Sequence, residues 1–76
     1  MTNKSKYPLS QKMEIAFYNV IDRRCDRMEA MNVPNDKIIE ILSGYANKFI
    51  DSHEMTESKR KELQTFIETI ISNYKD

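Results

Sequence analysis

Asn32-Val33-Pro34-Asn35-Asp36 separates two amphipathic runs, and its residues are suited both to ending one helix and to starting the next. Pro fits the first helical position, where its missing N–H is not needed, and an Asp in the first turn is favoured by the helix dipole. Upstream, Met13, Phe17, Val20, Ile21, Met28 and Met31 recur at three- and four-residue intervals behind Ser10, a good N-cap, which predicts a first helix over 10–31. Arg24 and Cys25 interrupt this stripe. Arg24 can lay its methylenes along apolar surface with its charge in water, and Cys25 can pack as a small apolar group.

Downstream of the break, Ile38, Ile39, Leu42, Tyr45, Ala46, Phe49 and Ile50 make a broad apolar face, predicting a second helix over 35–51 with Ile41 off that face. This is expected to be the most buried of the helices. Gly44 lies in its middle, where it costs about 0.5–1 kcal/mol relative to Ala; either a close helix approach requires it or the helix tolerates it. Asp51–Met55 reads as a turn, and Thr56 caps a third helix over 56–74 with the stripe Leu63, Phe66, Ile67, Ile70, Ile71 and Tyr74. Lys59, Arg60 and Lys61 near its start oppose the helix dipole, and Glu57, four residues before Lys61, offsets part of that.

No strand pattern, internal repeat or low-complexity segment is evident. The expected fold is therefore all-α: a small three-helix bundle whose short turns pack sequential neighbours together, with homodimerisation as a further way to complete it. Residues 1–9, with Lys4 and Lys6 and ending around Pro8, read as a flexible basic arm, and residues 10–76 as a single helical domain. An open arrangement, in which the long first helix completes its core on a partner chain, is the alternative.

A chain of 76 residues is one domain of marginal stability. Domains this small rely on disulfides, a metal, very regular helix packing or self-association, and a lone Cys25 without a ligand cluster removes the first two routes. Twelve Lys and Arg balance twelve Asp and Glu, so the whole molecule has no long-range field that would gather nucleic acid or anionic lipid. Any such binding has to come from a local patch. There is no apolar run long enough to span a bilayer and no apolar signal-peptide core, so a cytoplasmic location without membrane partners is expected. The single Cys fits a reducing compartment, and the Lys, Asn and Ile bias points to an AT-rich bacterial, phage or plasmid genome.

No constellation for catalysis, a cofactor or a metal is expected. His53 lies near Asp51 and Glu54, but zinc needs three or four ligands in closed geometry, so a solvated loop histidine is the expectation. Cys25 would need a base to act as a nucleophile, and helical geometry spreads Arg23, Arg24 and Arg27 around it; a structural thiol is expected.

Two basic groups, Arg23-Arg24-Arg27 and Lys59-Arg60-Lys61, could contact phosphates, although Asp22, Asp26, Glu29, Glu57 and Glu62 share the same stretches. The second and third helices also permit a helix-turn-helix reading, but the third is long and apolar for a recognition helix and offers little beyond Gln64 to read bases.

Surplus apolar residues are the better lead. Tyr18, Met28, Met31, Ile41, Phe66 and Ile71 exceed what one three-helix seam can hold, and such a surplus marks either a broad core or an interface. The expected function is a small regulator or adaptor that inhibits or modulates another protein through a helical apolar face. The alternatives are a nucleic-acid-binding regulator using Lys59, Arg60 and Lys61, and a toxin-neutralising immunity or antitoxin protein.

Overall fold

A computed structural model describes residues 7–75. Three helices account for most of it: α1 Gln11–Ala30, α2 Asn35–Ser52 and α3 Glu57–Ser72. The rest of the expected arm, Met1–Lys6 with Lys4 and Lys6, lies outside the described residues.

Each helix boundary has a local cause. The Ser10 hydroxyl accepts from the Met13 N–H at 3.1 Å and opens α1, and the Thr56 hydroxyl accepts from the Lys59 N–H at 3.1 Å and opens α3. At the end of α1, Asn32 takes the left-handed conformation, with φ 58°. The Val33 N–H donates to the Met28 carbonyl at 3.0 Å and the Asn32 N–H to Glu29 at 3.1 Å, the paired bonds of a Schellman motif. Asn is the ordinary residue after Gly that tolerates this backbone. Pro34 is the N-cap of α2 rather than its first residue; it supplies no side-chain cap, and its carbonyl accepts from Lys37 and Ile38. Asp36 in the first turn meets the positive end of the helix.

The segment between α2 and α3 differs from the expected turn. Helix α2 continues through Ser52, after which His53–Glu54 forms β2, paired in parallel with β1, Tyr7–Pro8. The Leu9 N–H adds a bond to the Glu54 carbonyl at 3.0 Å. No strand was expected, and the end of the arm is pinned here. The cause is local: a residue before Pro is held extended, and His53 leaves α2 in extended geometry, so two short backbones meet with their polar groups in register.

Helix α2 packs against both others. Phe17 meets Phe49 at 4.6 Å between ring centroids while Arg24 lies over Tyr45, so α1 and α2 run antiparallel. Glu14 meets Lys59 and Tyr18 meets Phe66, so α1 and α3 run parallel. The core between them is Phe17, Ile21, Cys25 and Met28 of α1, Ile38, Leu42, Ala46 and Ile50 of α2, and Leu63, Ile67 and Ile71 of α3. Phe17 is its hub, with rings of Tyr18, Tyr45, Phe49 and Phe66 all within 6.2 Å. A Cβ on Gly44 would meet nothing within 4 Å, so no close helix approach requires this glycine.

Candidate interaction face

Helix α1 has two flanks beside its buried stripe. On the flank toward α3, the Lys59 ammonium donates to Glu14 at 2.8 Å and to Glu62 at 3.0 Å, and both bonds raise its pKa. Tyr18 and Phe66 meet edge to face at 4.6 Å. Near the helix ends, the Tyr74 hydroxyl donates to Glu29 beside the Cys25 thiol; that bond, with burial second, raises the Tyr74 pKa. Tyr18 is also pushed up, by burial first and the charge of Glu14 next. Charged and polar groups on this flank therefore hold one another.

The flank toward α2 is different. Met13, Ala16, Val20, Arg23, Arg24, Arg27 and Met31 follow one another at helical spacing along it, and Lys37, Ile41, Tyr45 and Lys48 line the facing edge of α2. The Arg24 guanidinium sits 5.2 Å from the centre of the Tyr45 ring, fixing the register of the two edges. Arg23, Arg24 and Arg27 form no ion pair among the described residues. Val20, Arg23, Arg24, Asp26 and Arg27 surround a shallow concavity of about 570 Å³.

The six residues expected to be surplus divide between core and surface. Met28 and Ile71 are 8% and 9% exposed and belong to the core, which corrects their expected place in an exposed patch. Met28 follows Cys25 by three residues and Ile71 follows Ile67 by four, so both continue buried stripes. Tyr18 and Phe66 are half-buried against the core and spent on each other. Met31 at 66% and Ile41 at 36% exposure remain outside, both on the α1–α2 flank, joined there by Met13. Ile15, also exposed, lies on the outer side of α1. The exposure of Met13 was not read from the sequence because it matches the core period; only its place at the helix end, beyond the covering rings, explains it.

Of the basic residues near the start of α3, Lys59 is engaged by two carboxylates, leaving Arg60 half-buried and Lys61 exposed. The expected Glu57–Lys61 pair is absent among the described ion pairs. Lys59, Arg60 and Lys61 thus do not form a set of three available cations.

His53 corrects a second expectation. It is 7% exposed, stacked on Phe49 at 4.3 Å, with Nδ1 2.9 Å from the Phe49 carbonyl and Nε2 without a partner. Extension of α2 through Ser52 places residue 53 one turn beyond Phe49, on the buried side. Cys25 lies in the core, and burial pushes its thiol pKa up. Among the described residues, no three His, Cys, Asp or Glu side chains gather as metal ligands, and no helix is long and apolar enough to cross a membrane. No family model, curated protein or solved structure matches the chain.

Proposed function

We propose that this protein is a small regulatory or adaptor module that docks on another protein through the α1–α2 flank, inhibiting or modulating it. The observation that carries this reading is the placement of Met31 and Ile41, with Met13, on one flank, while Met28 and Ile71 belong to the core and Tyr18 and Phe66 pack against it and each other. Exposed apolar side chains ringed by Arg suit an interface, since Arg is enriched where binding energy concentrates and Met adapts to irregular surfaces.

A toxin-neutralising protein would use the same surface and differ only in its target. The nucleic-acid alternative through Lys59, Arg60 and Lys61 is less supported, because Lys59 is occupied by Glu14 and Glu62. The dimer expected from the size of the chain remains a separate proposal. Isologous pairing through this flank would set Arg against Arg, so a second copy would use another face; light scattering decides the subunit number.

The test is affinity capture from the native host with and without nuclease, comparing wild type with Met31→Asp and Ile41→Asp after circular dichroism establishes that the variants fold. A stoichiometric protein that survives nuclease and is lost in both variants supports the reading. A partner retained by both variants removes this flank from the function, and loss of every partner on nuclease treatment promotes nucleic acid.

A further inference from the structure

The α1–α2 flank concentrates positive charge in a chain whose net charge is zero. Arg23, Arg24 and Arg27 of α1 and Lys37 and Lys48 of α2 all lie along it. Most acidic side chains of α1 lie elsewhere: Glu14 and Glu29 are tied to Lys59 and Tyr74 on α3, and Asp22 does not line the concavity, so Asp26 is the one carboxylate that lines it beside the three arginines. On α2, Lys37 is the one of the two that forms an ion pair among the described residues, with Glu40 at 3.6 Å, and both are exposed, where such a pair counts for little. Along the middle of this charged rim run Met13, Val20, Ile41 and Met31. From Met13 to Met31 the stripe is about 27 Å long at 1.5 Å per residue, the length of a helix of about 18 residues.

We propose that the occupant of this flank is an amphipathic helix of a partner protein with an apolar seam bordered by Asp and Glu. This rests on the docking reading above and adds the chemistry of the partner. The seam covers Met13, Val20, Ile41 and Met31, and the acidic borders meet the arginines in bidentate hydrogen bonds that no carboxylate among the described residues provides. Complementary charge sets orientation and speeds encounter, and the rim rejects basic or like-charged helices, a second copy of this flank included. Phosphates would satisfy the arginines, but would leave the exposed Met and Ile side chains against solvent.

The experiment displays a library of helical peptides of about 18 residues with a fixed apolar seam and borders varied freely among Glu, Lys, Gln and Ser, selected on the full chain. Enriched peptides are expected to carry acidic borders. They are expected to bind Arg23→Glu/Arg24→Glu/Arg27→Glu at least about tenfold more weakly and to lose affinity as salt rises. Reversing the peptide's own borders from Glu to Lys provides the same test on the folded wild type, should the triple variant fail to fold.

Enrichment of neutral or basic borders, enrichment of nothing, or binding indifferent to both charge reversals overturns the proposal. Non-acidic peptides that are lost in Met31→Asp and Ile41→Asp would leave the docking reading standing while removing the acidic partner; peptides indifferent to these variants as well would remove both. A duplex DNA of roughly 20 base pairs, bound more tightly than any selected peptide and lost on arginine reversal, would assign the rim to phosphates and overturn it too.

Discussion

Along the flank of α1 that meets α3, charged and polar side chains close on one another: Glu14 takes Lys59, Glu29 takes Tyr74, and Tyr18 meets Phe66 edge to face. Along the flank that meets α2, Arg23, Arg24 and Arg27 have among the described residues only the Tyr45 ring beneath Arg24, and Met31 and Ile41 stand in solvent. The same helix thus carries one side whose interactions are completed within the chain and one whose interactions are left open. Residues on a completed side are expected to matter for stability, and residues on an open side for what the protein touches.

The largest effect should come from the core that both flanks share. Phe17→Ala removes the ring against which four others pack and is expected to cost about 3–5 kcal/mol, read as a lowered urea midpoint. For a domain this small that is close to complete unfolding. A loss below about 1 kcal/mol would mean that the bundle is not organised around this residue.

Next comes the closed flank. Tyr74→Phe removes the hydroxyl that donates to Glu29 and should cost about 1 kcal/mol. The same flank predicts an alkaline transition. Lys59 and Tyr74 both have folded-state pKa values raised above their ordinary 10.5 and 10.0, so their stabilisation is complete below those values and is lost as pH rises through the folded-state values. Thermal stability should therefore begin to fall above about pH 10, and less steeply in Tyr74→Phe. The arginines of the open flank have no part in this, because arginine stays charged throughout. An equal decline in wild type and Tyr74→Phe would break the comparison.

A smaller gain is expected in the middle of α2. Gly44→Ala places a methyl where nothing lies within 4 Å, so the protein should become more stable by about 0.5–1 kcal/mol. A loss would point to a backbone requirement that the helical geometry does not reveal.

The smallest stability effect belongs to the open flank itself. Arg23→Glu and Arg27→Glu should each move stability by no more than about 0.5 kcal/mol, since neither side chain has an ion-pair partner among the described residues to lose. A larger loss on denaturation would place these arginines in the structure rather than at an interface.

Legibility in the sequence followed the range of the interaction concerned. The caps at Ser10 and Thr56, the break at Asn32–Asp36 and the stripes through Phe17, Leu42 and Ile67 are local or periodic, and they predicted three helices close to those observed. The Schellman turn at Asn32 was visible only as a break, because a positive φ is one choice among several for Asn. His53 was misread because one further residue of helix separates a solvated turn from a buried ring stacked on Phe49. The parallel pairing of Tyr7–Pro8 with His53–Glu54 joins residues 46 apart in sequence, and no local pattern records such a meeting.

Sequence by itself determined that this chain is helical, where each helix begins and ends within a few residues, and which side chains are apolar enough to be buried. Those properties depend on backbone propensity, capping and a period of 3.6, all set by neighbours along the chain. Tertiary structure alone decided that Met28 and Ile71 fill the core while Met31 and Ile41 do not, that Lys59 is held by Glu14, and that the flank of α1 carrying three arginines and two methionines is left exposed. Each of these depends on which helix lies beside which and at what rotation, a result of packing the whole bundle at once.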